Sequence, residues 1–149
     1  MKSLTSWLSR LFAGCVSFLG IRCAAATTTT VIHDSIRPLD LPRLLRCIEA
    51  VEGNPWWRPG GRYGFTEGTW RDYSKYPYRM AQRPERATEV ATTVLLDTLR
   101  RMNNDQIYPT VYLLAVRWRW GYQGMINRMH RNDDYGTRVS NLYHDPSVR

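Results

Sequence analysis

The sequence predicts a mostly helical α+β domain, and three observations support this prediction. Apolar residues recur at helical spacing in segments that begin near residues 41, 84, 109 and 133. Residues 54–80 differ, because eight aromatic residues alternate there with glycine and proline and no helical period continues. A chain of 149 residues leaves room for one ordinary domain. We therefore expect one helical core with a small, aromatic-rich lobe of β structure and loops.

The N-terminal 26 residues are typical of a signal peptide. Lys2 and Arg10 supply a basic start, and the apolar run of residues 11–21 is too short to span a bilayer. Small residues follow at 24–26, where a signal peptidase cuts. The sequence thus predicts export to the periplasm or the extracellular space, with no stable membrane span.

Two alternatives remain for this segment, namely lipid attachment at Cys15 and a buried N-terminal helix. The apolar and small residues 11–14 before Cys15 favour the lipoprotein, but the usual leucine three positions before the cysteine is missing. Residues 27–39 are Thr-rich and polar and are interpreted as a linker. The domain itself is expected to occupy residues 40–149.

Charge and cysteine content restrict the classes of partner and cofactor. The full chain has a net charge of +8, and removal of residues 1–26 takes three of the positive charges away. This surplus favours an anionic partner such as cell wall, membrane surface or nucleic acid. Only Cys47 would remain after cleavage, and the three histidines are widely spaced. We expect no intramolecular disulfide, metal site or organic cofactor.

The first predicted helix, residues 41–52, places a carboxyl group on an apolar face. Asp40 is a good N-cap, and Gly53-Asn54-Pro55 ends the helix. Glu52 lies four residues after Ile48, within the apolar sector. Loss of water raises the pKa of a carboxyl group, and a protonated carboxyl is what cleavage of a glycosidic bond requires. The alternative is that Glu52 frays from the helix end and pairs with an arginine.

The remaining elements follow in order along the chain. Gly60-Gly61 marks a turn, and the short segments on either side of it are expected to pair as a small hairpin. A long helix is predicted over residues 84–102, and another from Pro109 to a stop at Gly121. A last helix begins at Asp133 or Asp134. It is expected to bury Tyr135, Val139, Leu142 and Tyr143.

Four sequence motifs resemble those of the lysozyme-like superfamily, especially its bacterial branch of lytic transglycosylases and goose-type lysozymes. Residues 51–55 read Val-Glu-Gly-Asn-Pro, and residues 63–70 read Tyr-Gly-Phe-Thr-Glu-Gly-Thr-Trp. In that branch a helix ends in the acid Glu, followed by a small residue and Asn-Pro, then by a Gly-x-x-Gln turn. Residues 115–121 and 135–143 are similar to its Trp-containing helix and its closing tyrosine helix. The likeness extends over residues 40–145.

The resemblance implies a peptidoglycan-cleaving glycosidase, a lysozyme or a lytic transglycosylase. Glu52 would act as general acid on the bond between N-acetylmuramic acid and N-acetylglucosamine. Glu67, where the family has Gln, would be a second catalytic carboxyl, and Asp72 is the other nearby candidate for a base. The residues expected to bind substrate are Tyr63, Gly64, Thr66, Trp70, Trp118 and Tyr135. The partner would be the glycan strand, and we expect a monomer that binds no nucleic acid.

Two further interpretations belong to other classes of protein. Arg119 and Trp120 replace small polar residues of the family pattern, which together with Glu67 is compatible with a non-catalytic cell-wall-binding or assembly protein. Interleaved arginines and aromatic residues are compatible with nucleic-acid binding, but the predicted export and the lack of a basic stripe oppose it. Two or three of five aromatic residues are expected to line a sugar groove, the alternative being a place in the core. These five are Trp56, Trp57, Tyr63, Trp70 and Tyr73.

Overall fold

A computed structural model describes residues 38–148 of the protein, which contain five α-helices and two short 3-10 helices. The α-helices are α1 (Leu41–Glu52), α2 (Glu67–Tyr73), α3 (Pro84–Asn104), α4 (Val111–Ile126) and α5 (Asp134–His144). The 3-10 helices are Gly61–Tyr63 and Tyr78–Gln82. The predicted signal peptide, Cys15 and most of the predicted linker lie outside the described residues. The mostly helical prediction is confirmed, whereas residues 38–148 contain no β-strand.

Helix α1 has the predicted boundaries because local capping groups set both of its ends. The side chain of Asp40 accepts a hydrogen bond of 2.9 Å from the Arg43 amide, and Gly53 ends the helix in the left-handed conformation. Leu44 and Ile48 are fully buried. Cys47 is also fully buried, although the helical period puts it on the polar side, because α1 packs against both α3 and α5. Burial raises the pKa of its thiol, so this cysteine is not poised for chemistry.

The expected hairpin around Gly60-Gly61 is wrong. Both glycines have positive φ, and the chain closes tight turns here, with Phe65 N–H donating to the Gly60 carbonyl at 3.0 Å. A Cβ on Gly61 would collide with the carbonyl oxygen of Ala81, so the glycine lets two backbone segments touch. The turn around Gly60-Gly61 therefore packs against the 3-10 helix Tyr78–Gln82, and its two flanks do not form paired β-strands.

Helix α3 is the central element of the core. It contacts α1, α2, α4 and both 3-10 helices. The apolar spacing of this helix predicts a buried stripe, of which Leu99 is half-buried and the others are buried: Ala87, Val90, Ala91, Val94, Leu95, Thr98 and Met102. Val94 of this face also lines a cavity of the site described below.

Helices α4 and α5 pack closely and bring three chain segments to one place. Helix α4 breaks at Gly121 (φ 74°, ψ 175°), as predicted, but continues beyond it to Ile126. A Cβ on Gly136 of α5 would lie 2.7 Å from a methyl group of Val116, so glycine permits the close approach of the two helices. Helix α5 also packs on α1. The start of α5 and the Gly121 break in α4 therefore lie at the end of α1. Val139 is fully buried, and the other three residues expected to be buried in α5 are half-buried.

Candidate active site

Glu52, the last residue of α1, is held by a tyrosine from α5, far away in the sequence. Its side chain is half-buried, and Oε1 accepts a hydrogen bond of 2.8 Å from Tyr135 Oη. Burial, the charge of Glu52 and this hydrogen bond all raise the pKa of Tyr135. The phenol therefore keeps its proton and remains a donor to Glu52.

The second carboxyl oxygen of Glu52 faces a glycine turn. Gly64 has φ 63°, and a Cβ at this position would lie 2.8 Å from Glu52 Oε2 and 2.8 Å from Asn54 Nδ2. Any larger residue would press against the carboxyl group. The missing side chain thus lets the turn lie close to Oε2.

Glu52 lies at the junction of two cavities, which we call the smaller and the larger cavity. The smaller has a volume of about 110 Å³ and the larger of about 540 Å³. The smaller is lined by Glu52, Tyr63, Gly64, Phe65, Thr66, Thr69, Val94, Arg117, Trp118 and Arg119. The larger is lined by Val51, Glu52, Arg119, Trp120, Asn132, Asp133, Asp134, Tyr135 and Arg138. Glu52 and Arg119 belong to both, so a ligand on either side of the carboxyl group would meet them.

The aromatic wall of the smaller cavity is fixed by the core. The rings of Tyr63 and Trp118 meet edge to face at 6.0 Å, and Phe65 packs against both of them. Trp118 Nε1 donates to the Tyr63 carbonyl at 3.2 Å, and the Tyr63 hydroxyl is hydrogen-bonded to Thr88. This wall is therefore preorganised before any ligand arrives.

Arg117, which the sequence analysis did not select, is a buried cation at this cavity. The residue is 8% exposed, and Nη2 donates a hydrogen bond of 3.2 Å to Tyr73 Oη. Its Nε is buried without a hydrogen-bond partner. Burial lowers the pKa of Arg117, because the charged form is poorly solvated in this position. A sequence signal did exist, because Arg117 directly follows the apolar residues 113–116 of a helix.

Six of the eight predicted site residues line a cavity. Tyr63, Gly64, Thr66 and Trp118 line the smaller one, Tyr135 the larger one, and Glu52 both. Trp70 was wrongly expected to bind substrate. Its side chain is only 1% exposed, and its indole nitrogen donates to the Tyr76 carbonyl at 2.8 Å. A side chain enclosed by protein on every face has no surface left for a sugar.

Glu67 lies apart from Glu52. It is the exposed first residue of α2 and lines neither cavity, and its charge acts on Tyr78 instead. Asp72, the other expected base, is exposed on the same helix and also lines neither cavity. The structure therefore does not bring either carboxylate into the cavities beside Glu52.

Two other carboxylates do share the larger cavity with Glu52. Asp133 caps α5, with Oδ1 accepting from the Gly136 amide at 2.9 Å and Oδ2 accepting from Trp120 Nε1 at 2.7 Å. Asp134 is exposed. Both residues were expected only to begin a helix, because nothing local in the sequence indicates that this helix begins beside the end of α1.

Two exposed tryptophans predicted to contact sugar do not line the site. Trp56 and Trp57 are 56% and 58% exposed but border neither cavity, and the half-buried Tyr73 donates to Asp97 at 2.8 Å. Of the five aromatic residues proposed to contact sugar, only Tyr63 lines a cavity, so the expectation of two or three was wrong.

Comparisons with known proteins do not add a family to these observations. No protein-family model matches the chain, and no curated protein and no solved structure matches it significantly. Within residues 38–148, no helix is both long and apolar enough to cross a membrane. In the same residues, no three His, Cys, Asp or Glu side chains are grouped so that they would hold a metal ion.

The site has the parts required for proton transfer to a bound molecule. It combines one oriented carboxyl group, a tyrosine donor that holds it, and open space on two sides. Cations from α4 and α5 line the cavities, namely Arg117, Arg119 and Arg138. The class defined by fold and site is thus a small helical domain with a carboxyl group at the junction of two polar cavities.

Proposed function

We propose that this protein is an exported, lysozyme-like enzyme that cleaves peptidoglycan glycan strands, with Glu52 as the general acid. The bond cut lies between N-acetylmuramic acid and N-acetylglucosamine. The observation that carries the proposal is the position of Glu52 between two cavities, held by Tyr135 at 2.8 Å. A glycosidase needs a carboxyl group fixed at the leaving oxygen, with open space beside it for the groups of the substrate.

The two oxygens of Glu52 have different roles in this proposal. Oε1 accepts the hydrogen bond of Tyr135, so the transferable proton belongs on Oε2. Oε2 is the oxygen next to Gly64, and both residues line the smaller cavity. The glycosidic oxygen would accept its proton there while positive charge develops on the muramic sugar.

The fate of that sugar separates two reactions. In a lytic transglycosylase, the 6-hydroxyl of the sugar attacks its own anomeric carbon, gives its proton to the Glu52 carboxylate and yields a 1,6-anhydro end. A hydrolase instead needs a base that activates water. Asp134 is the better-placed candidate, since it shares the larger cavity with Glu52, whereas both oxygens of Asp133 already accept hydrogen bonds. The two products differ by one water, which mass spectrometry of the released muropeptides detects.

The test compares two glutamine variants on purified murein sacculi. Glu52→Gln removes the acid, so we expect release of soluble muropeptides to fall by about 10²–10⁴-fold. Glu67→Gln makes the same chemical change at an exposed position outside both cavities, and it should leave release unchanged. Full activity of Glu52→Gln would remove this residue as the acid. Loss of activity in Glu67→Gln would restore it as a second catalytic carboxyl.

A non-catalytic cell-wall-binding or assembly protein is the second candidate. The observation that favours it is the position of Glu67, since the carboxyl expected next to the acid lines neither cavity. Such a protein would sediment with sacculi and release no muropeptides. Detection of released muropeptides that depends on Glu52 excludes it.

A further inference from the structure

The guanidinium of Arg117 lacks an anionic partner in the described part of the chain. Its only hydrogen bond there goes to Tyr73, a neutral phenol, and no carboxylate lies within ion-pair distance. Its Nε is buried and unpaired. An isolated buried charge is costly, so a cation in this position needs compensation from elsewhere.

The carboxylate nearest in this network is already shared among other cations. Tyr73 passes its own hydrogen bond to Asp97 at 2.8 Å. Asp97 also accepts a hydrogen bond of 2.7 Å from Arg100 and forms an ion pair with Arg101 at 2.8 Å. This carboxylate is therefore already paired with two other arginines and forms no ion pair with Arg117.

The smaller cavity is the open space next to Arg117. Arg117 and Arg119 both line it, and Glu52 is the only acidic residue among its lining residues. Glu52 makes no ion pair with either arginine within residues 38–148 and is bonded to Tyr135 instead. An anion that entered the smaller cavity would meet two cations that the protein leaves without a carboxylate.

The size of the smaller cavity limits what enters it. Sites for whole small molecules span about 300–1,000 Å³, and this cavity has about 110 Å³. It therefore suits a small anionic group that projects from a larger ligand. The sugar ring itself would lie outside, near Glu52 and Trp118.

We propose that the smaller cavity is a subsite for the carboxylate of an acidic sugar, which pairs with Arg117 and Arg119. Naming the sugar rests on the proposed function. The acidic sugar of the glycan strand is N-acetylmuramic acid, whose lactyl ether ends in a carboxylate only where no peptide is attached. The protein is thus expected to prefer peptide-free glycan strands to peptide-substituted ones.

The first test uses the unmodified protein and three monosaccharides, so it does not depend on catalysis. N-Acetylmuramic acid, its lactyl methyl ester and N-acetylglucosamine are titrated while NMR follows the indole signal of Trp118, which lines the cavity. A hydrogen bond between charged groups corresponds to about 10–100-fold in affinity. We expect the free acid to bind at least about 10-fold more tightly than the other two. Equal binding of the three sugars overturns the proposal.

The second test assigns the preference to Arg117. Arg117→Met removes the charge with little change in length, and it should weaken the preference for the free acid, because only Arg119 is then left to pair with the carboxylate. Arg46→Met is the matched control, because Arg46 is exposed and lines neither cavity, and it should keep the full preference. An undiminished preference in a folded Arg117→Met protein, as judged by its circular dichroism, overturns the assignment. If this variant does not fold, the comparison of acid and ester still decides the proposal.

Failure of this inference is distinguishable from failure of the proposed function. Cleavage of murein without any preference for the free acid leaves the enzyme and removes the subsite. A preference for the free acid without cleavage leaves the subsite and removes the enzyme. Where both hold, the KM for peptide-free strands should be at least about 10-fold below that for peptide-substituted strands, and Arg117→Met should reduce this difference.

Discussion

Tyr135, the second residue of α5, donates a hydrogen bond of 2.8 Å to Glu52, which lies 83 residues earlier at the end of α1. The contact depends on two separate packing events, since α5 must dock on both α1 and α4. We make four predictions, which concern Tyr135, Gly64, Trp70 and Asp97.

Tyr135→Phe removes the hydroxyl and keeps the ring. The Glu52 carboxyl loses the donor that orients it, and a hydrogen bond to a charged group is worth about 1.5–3 kcal/mol. We expect muropeptide release to fall by about 10–100-fold with the fold retained. Tyr108→Phe is the control, because Tyr108 is 72% exposed and lines neither cavity. Equal rates for the two variants would mean that Tyr135 does not position the acid.

Gly64→Ala tests the close approach of the turn to Glu52. The added methyl group would lie 2.8 Å from Oε2, and the positive φ adds about 1–2 kcal/mol of backbone strain. Gly53→Ala is a matched control, since Gly53 has φ 60° but no atom within 4 Å of such a Cβ. We expect both variants to unfold at lower denaturant concentration. Muropeptide release should be lost only in Gly64→Ala, and similar activities would contradict the contact.

Trp70→Ala tests the correction made to its role. Because the ring is fully buried and its indole N–H is hydrogen-bonded, truncation should cost about 3–5 kcal/mol in the free energy of unfolding. Trp57→Ala, at an exposed ring, should change it by no more than about 0.5 kcal/mol. Denaturant titration measures both. Comparable stability of the two variants would show that Trp70 is not a core residue.

The lowered pKa of Asp97 predicts that the folded protein loses stability at acidic pH. Burial alone would raise its pKa, but the hydrogen bonds from Tyr73 and Arg100 and the charge of Arg101 outweigh burial and hold the pKa below 3.8. A carboxylate whose pKa is lower in the folded state stabilises the fold above its unfolded pKa. That stabilisation disappears as the pH falls through the folded pKa. The stability difference between the native protein and Asp97→Asn should therefore be full at pH 6 and shrink below pH 4, as followed by urea unfolding. A difference independent of pH would contradict the network.

Much of the secondary structure could be predicted because its signals are local. Asp40 and Gly53 bound α1, and Pro84 begins α3, through hydrogen bonds and φ values set within a few residues. The apolar spacing of α3 also predicted its buried face. Gly60-Gly61 led to the wrong prediction of a hairpin, because glycines with positive φ occur both in hairpins and in other tight turns. The contact of Gly61 with Ala81, which shows the tight turn, is visible only in the structure.

The candidate site was predicted less completely. Glu52, Gly64 and Tyr135 were identified by motif order, and the structure brings them together. Trp70 and Trp57 have the same chemistry in the sequence, yet one is buried and the other exposed, because burial depends on which distant segment covers the ring.

By itself, the sequence determined where α1, α3 and α5 begin, which of their faces are apolar, and that a carboxyl group sits at the end of α1. These properties depend on neighbours within one or two turns. Only the tertiary structure decided that Asp133 and Asp134, rather than Glu67, share the larger cavity with Glu52, and that Arg117 lines the smaller cavity with no carboxylate of residues 38–148 within ion-pair distance. Such relationships arise from the packing of α4 and α5 on α1, and contacts between residues so far apart in the chain leave no local pattern to read.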